Sequence, residues 1–176
     1  MAIPIEVSPR SRPNFKSFVD SVTDKVADEG IDTEGVIPRL SLMTRKLNQL
    51  MADDAAQRVY RPGGWSHASF RICVSLWVMG PLPSHRVASM TNMSRATVSA
   101  ALKKILEDEL ITKEPSTEDL RSVVVRLTPR GEKLIRESYQ WHLEVENEWF
   151  GALTEAERHI LLMLLEKIME NRPAFR

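Results

Sequence analysis

The stretch "TNMSRATVSAALKK", residues 91–104, decides the reading of this chain. It holds three cations, no acid, and small residues where a surface helix ordinarily carries long polar ones. Ser94 is a natural N-cap, and Val98, Ala101, Leu102 and Ile105 recur at helical spacing, so they form the buried face. Arg95, Ala96, Ser99, Ala100 and Lys103 then point away from the core. From 81 to 106 the chain has Arg86, Arg95, Lys103 and Lys104 and no acid at all. A helix so bare and so clear of negative charge suits the close approach of a large anionic body.

Working outward, Ser84 is placed to cap a preceding helix over 85–91, and Asn92 tolerates the left-handed conformation that a tight helix-to-helix turn requires. Downstream, "LITKE" and "RSVVVRL" are β-prone runs separated by the polar "PSTEDL", which predicts a hairpin with a protruding tip. They are the only strand signals. Further upstream, Ser66 caps a short helix, Phe70 to Met79, that is apolar almost all round and belongs at the centre of the core, before "GPLP" breaks the chain at 80–83. Helix, tight turn, helix and hairpin make a winged helix-turn-helix. Its second helix fits the major groove of B-DNA, where base edges are read only by short or hydrogen-bonding side chains. On that reading Arg95, Thr97, Ser99 and Lys103 meet bases or nearby phosphates, Ala96 and Ala100 let the helix sit deep, and Arg86 and Lys104 hold the backbone.

The flanks are helical. Phe15, Phe18, Val19, Val22 and Val26 line a first helix entered through Pro13 and left near Gly30. Asp32 or Thr33 is positioned to cap a longer helix carrying Val36, Ile37, Leu40, Met43, Leu47, Leu50, Met51 and Val59, with Pro38 in its first turn and "RPGG" at 61–64 as its stop. Thr128 with Pro129 opens a long helix to about Phe150, and Thr154 with Glu157 forms a capping box for the last one. Ile160, Leu161, Leu164, Leu165 and Ile168 on that helix are more apolar surface than it can hide within its own chain, which predicts a partner subunit.

With 176 residues, 24 Lys and Arg against 24 Asp and Glu, bulk charge points to neither nucleic acid nor membrane, so the local distribution has to carry the argument. The single cysteine, Cys73, excludes an intrachain disulfide and fits a reducing compartment. With neither a secretory signal nor a membrane-spanning stretch, a soluble cytoplasmic protein is expected.

At "MSRATVSAALKKILEDELI" and "DLRSVVVRLTPRG" the chain resembles the MarR (multiple antibiotic resistance regulator) family of transcription factors, over about Val36 to Ile168. The resemblance implies a homodimer built by the first and the last two helices, with paired recognition helices in successive major grooves of a pseudopalindromic operator. It also implies that Arg121 on the wing enters the flanking minor groove, oriented by Asp119. The chain departs from the family's pattern at Leu120, where many members have a second arginine, and at Ser116, where many have an acid. The domain expectation is an N-terminal extension over 1–31, dimerisation helices over 32–60 and 129–176, and the DNA-binding lobe over 61–128. The fold class is mainly α with a two-stranded β wing. The extension's helix packs across the dimer or folds over a ligand site; the sequence leaves both open.

The family's small effectors, often aromatic acids or phenols, bind between the dimer helices and the DNA-binding lobe. The resemblance thus offers Trp65, His67 and Arg71 as an aromatic wall and a cation, against a Trp65 that simply fills the core. Cys73 lies mid-helix among apolar residues and is expected to be a buried inert thiol rather than a redox sensor. Of the four histidines only His142 has ligand-like spacing, with Glu146, and a surface pair is the better reading; no metal or cofactor is expected. No glycine-rich phosphate loop or nucleophile elbow suggests an enzyme. The expected function is a ligand-released repressor, with a winged-helix protein-interaction module as the alternative.

Overall fold

The computed structural model describes residues 14–31, 34–91, 93–115 and 123–172. The expectations for Asp32, Thr33, Asn92, Ser116, Asp119, Leu120 and Arg121 therefore lie outside the described residues. The chain divides into two compact units, Met1–Leu50 and Met51–Arg176.

In the first unit, α1 (Phe15–Asp28) is capped by the Asn14 side chain, which accepts from the Ser17 amide at 2.9 Å. Val19 is its one buried residue, with Phe15, Val22 and Val26 half-buried and Phe18 exposed. Helix α2 (Val36–Ala55) starts after Gly35, whose φ of 66° is strained for any side chain; a Cβ there would also lie 2.4 Å from Thr23 Cγ2. Pro38 sits in the first turn, where its missing N–H costs nothing. Within this unit Arg39 pairs with Asp20, and Lys46 Nζ lies 5.7 Å from the centre of the Phe15 ring. Val36, Ile37, Leu40, Met43 and Leu47 stay exposed.

In the second unit the chain enters a π-helical turn, Ala56–Tyr60, closed by an Arg61 amide bond to the Ala56 carbonyl at 3.0 Å. This wider turn buries Val59 and Tyr60 side by side. Ser66 caps α3 (His67–Met79), accepting from the Ser69 amide at 3.0 Å, so the helix starts three residues earlier than its apolar run suggests. Phe70, Ile72, Cys73 and Leu76 of α3 are buried in one core with Val98, Leu102, Ile105, Ile111, Val125 and Ile135. Complete burial of side chains of this size is worth roughly 1.5–3 kcal/mol each, which makes α3 the centre of the lobe.

After α3 come α4 (Ser84–Thr91), α5 (Arg95–Glu107), the hairpin β2 (Ile111–Pro115) and β3 (Val123–Leu127), then α6 (Pro129–Phe150) and α7 (Glu155–Glu170). The two wing strands are antiparallel, with Ile111 opposite Leu127 and Pro115 opposite Val123. A short strand absent from the sequence reading, β1 (Leu82–Pro83), pairs with the other edge of β3, so "GPLP" is more than a break. Ser84 is likewise not a side-chain cap: it is the first residue of α4, and its hydroxyl donates to the Val123 carbonyl at 3.2 Å. Together these contacts fix the start of α4 to the wing.

Thr128 caps α6, accepting from the Gly131 amide at 3.0 Å and donating to the Glu109 carbonyl at 2.9 Å. Gly131 lies so close to the turn after α5 that a Cβ would come within 2.0 Å of the Leu110 carbonyl oxygen. Helix α7 has the expected capping box, and none of its residues is buried.

Candidate nucleic-acid interface

The interface is built on α5. Val98, Ala101, Leu102 and Ile105 are its buried residues, the four that helical spacing selects, and this fixes its rotation about its own axis. Arg95, Ala96, Thr97, Ser99, Ala100, Lys103 and Lys104 are all exposed on the opposite side. The preceding helix is anchored by Val87 and by Thr91, whose buried hydroxyl donates to the Val87 carbonyl at 2.7 Å.

At the N-terminus of α5 the Ser94 hydroxyl accepts from the Thr97 amide at 3.1 Å and lies 2.8 Å from the Thr97 hydroxyl. Two hydroxyls and the first-turn amides thus converge at the positive end of the helix dipole, an arrangement that favours a phosphate oxygen. Arg95 and Arg86 are exposed and have no carboxylate partner among the described residues. Here the surface is a donor-rich convex ridge without acid.

The far end of the ridge differs. Lys104 Nζ lies 2.6 Å from Asp108 Oδ1 and Lys103 Nζ 3.9 Å from Glu107 Oε1, both one helical turn on. The hydrogen bond that Lys104 donates to Asp108, then the Asp108 charge, raises the Lys104 pKa. These carboxylates were missed in reading the cation run, although i, i+4 spacing was available to find them. They are exposed pairs, and such pairs are weak enough to yield to a phosphate. Of the remaining cations on the hairpin strands, Lys113 and Arg126 are exposed.

The residues singled out for a small ligand separate. His67 and Arg71 line an open recess of about 320 Å³ with Tyr60, Phe70, Tyr139 and His142. Trp65 is not one of its walls: the indole is buried and donates to Ser138 Oγ at 2.8 Å, so it fills the core. Arg71 is half-buried and meets no carboxylate among the described residues. His142 Nε2 lies 3.2 Å from Glu146 Oε1, while its buried Nδ1 has no hydrogen-bond partner among the described residues. Ring centres stand 5.2 Å apart for Phe70 and His142 and 4.8 Å apart for Tyr60 and Phe70, so the walls are aromatic with one unmatched cation. Burial pushes the Cys73 thiol up to about 12. Among the described residues there is no group of three potential metal ligands, and no helix long and apolar enough to cross a membrane.

Fold and surface together define a winged helix-turn-helix lobe. Residues 65–123 match the MarR family of proteins. The Bacillus subtilis protein YwaE, an uncharacterized HTH-type transcriptional regulator, is 33% identical over 106 residues, 60% of this chain and 62% of that protein. The chain thus spans about six-tenths of that relative's length. Among solved structures, BpsR of Bordetella bronchiseptica, described for regulation of its DNA binding by 6-hydroxynicotinic acid, is 25% identical with a TM-score of 0.66, covering 74% of this chain and 98% of that one. A cysteine-to-serine variant of MarR from E. coli, complexed with operator DNA, superposes with a TM-score of 0.68 over 78% of this chain and 98% of that one. At 20% identity it shows the shared fold.

Proposed function

We propose that this chain is a homodimeric transcriptional regulator, a repressor that binds a pseudopalindromic DNA operator and leaves it when a small aromatic or phenolic acid binds. The observation that carries the proposal is the outer face of α5, which combines exposed cations, hydroxyls and alanines, with no acid before Glu107. Arg95, Thr97, Ser99 and Lys103 contact base edges or adjacent phosphates, and Arg86, Ser94 and Lys104 hold the backbone. Arg121, oriented by Asp119, reaches the flanking minor groove.

A second copy is required because two half-sites, about 34–36 Å apart on one face of the duplex, need two helices. The exposed apolar side chains of α7 supply a surface for it, Ile160, Leu164 and Ile168 among them. The effector occupies the recess of Arg71 and His67, where an aromatic carboxylate finds rings and the Arg71 guanidinium. The 6-hydroxynicotinic acid of BpsR belongs to the same chemical class. Release follows if the ligand binds one spacing of the two lobes better than the other.

A mobility-shift titration tests this reading on duplexes flanking the protein's own gene, at low and moderate salt. The expected result is a sequence-selective shift that weakens steeply with salt, since each phosphate contact releases counterions. A protein that shifts no duplex at low ionic strength is a protein-interaction module instead.

A further inference from the structure

At the base of the wing, where α3, β3 and α6 meet, lies an open recess of about 450 Å³ that shares no wall residue with the recess of Arg71. Three local features of the chain build it. Trp77 stands in the last turn of α3, and Gly80, with a φ of 76°, turns the chain into Pro81 and so into β1. Val125 takes the core side of β3 and leaves Arg126 next to it exposed. The Thr128 cap starts α6 and so sets Pro129 and Glu132 in its first turn.

Pro81, Leu127 and Pro129 give the recess apolar walls, and Trp77, Arg126 and Glu132 carry its only polar side chains among the described residues. Their charges do not cancel. Glu132 Oε1 accepts from Arg136 at 2.7 Å, so its charge is already matched. Arg126 forms no ion pair with any described residue, and the residue opposite it on β2 is the neutral Thr112. The acid nearest in register, Glu114, stands opposite Val124, with Lys113 between it and Thr112. The indole adds a second donor: Trp65 and Trp149 give their N–H groups to Ser138 and Asp54, whereas that of Trp77 meets no described acceptor and is not buried.

We propose that this recess is a second small-molecule site, for a planar aromatic carboxylate whose ring lies against Trp77 and the two prolines and whose carboxylate takes the Arg126 guanidinium and the Trp77 indole N–H as donors. Both donors gain a charge-assisted hydrogen bond only when an anion arrives. The indole face and the prolines cover a ring, and they have nothing to offer a bare inorganic ion. The volume lies within the range of roughly 300–1,000 Å³ usual for small-molecule pockets. The site stands independently of the effector reading of the Arg71 recess. The Trp77 ring is 5.4 Å from that of Tyr139, a wall of that other recess, so a response at Trp77 has to be separated from binding next door.

The test is a titration of the full chain, isotope-labelled at tryptophan, followed through the indole N–H resonances of its four tryptophans. The Trp77 resonance is the one missing from Trp77→Phe. With 2-naphthoate it is expected to shift saturably in the unmodified chain and in Arg71→Ala alike, and Arg126→Gln is expected to weaken that response roughly tenfold. Naphthalene-2-carboxamide, the ring without the charge, and inorganic phosphate, the charge without the ring, are expected to leave it in place over the same concentrations. A Trp77 resonance that stays still with 2-naphthoate overturns the proposal, as does an unchanged response in Arg126→Gln. A shift lost in Arg71→Ala belongs to the other recess; it overturns this site and leaves the effector reading standing. A carboxamide or phosphate response as strong as that of 2-naphthoate overturns the assigned ligand class. Should Arg126→Gln fail to fold, the contrast between carboxylate and carboxamide on the unmodified chain decides.

Discussion

The cations of α5 do not act alike, because Lys103 and Lys104 each have a carboxylate one helical turn on while Arg95 has none among the described residues. Lys104→Ala should weaken binding to every duplex and reduce the salt slope by about one, the signature of a lost phosphate contact. Arg95→Ala should in addition relax operator preference by roughly 1–3 kcal/mol if it reads a base bidentately. Asp108→Asn frees Lys104 and should strengthen binding to all sequences, which narrows the margin between operator and random DNA. Titrations against operator and scrambled duplexes check all three, and unchanged discrimination in Arg95→Ala removes that residue from the base-reading set. Cys73 makes a separate prediction. With its thiol pushed up to about 12 by burial, almost no thiolate exists near neutral pH. A disulfide reagent such as DTNB should therefore react only after denaturant is added, and a rapid native reaction contradicts the packing of α3.

At the scale of elements, α5 is held between a capped start and a crowded exit. Ser94→Ala removes the bond to the Thr97 amide and should cost about 1 kcal/mol. Gly131→Ala drives a methyl toward the Leu110 carbonyl and should cost roughly 1–3 kcal/mol, because both sides of that contact are backbone-fixed. Urea unfolding measures each; a neutral Gly131→Ala would mean that the turn between α5 and α6 is looser than the contact implies. The faces of α5 were legible in the sequence because a 3.6-residue period sorts Val98, Ala101, Leu102 and Ile105 from their neighbours with no help from the rest of the chain. The caps Ser66, Ser94, Thr128 and Thr154 were legible for the same local reason. Strand β1 was not, since Leu82 and Pro83, following Pro81, are too short a run to show a period and pair only because β3 offers an edge. The π-helical turn also has no local signature: Ala56–Tyr60 suits an α-helix equally well, and burial of both Val59 and Tyr60 selects the wider turn. The recess was half legible. His67 and Arg71 share a helix and were found together, whereas His142 and Tyr139 reach it from α6 and are joined only by the fold.

For the whole molecule, the α7 surface decides whether there is one copy or two. A helix with Ile160, Leu162, Met163, Leu164 and Ile168 exposed and none of its residues buried leaves apolar area in water that a second subunit would cover. Leu164→Glu with Ile168→Glu should convert a dimer to monomers in sedimentation equilibrium and lower operator affinity far more than any single change on α5, because both half-sites are lost together. The most direct measurement is sequencing of duplexes selected by the purified chain from a random pool. Two α5 helices in successive major grooves predict enrichment of an inverted repeat with half-site centres about 10 base pairs apart. Enrichment of a solitary half-site, or of no sequence at all at low ionic strength, would contradict the account.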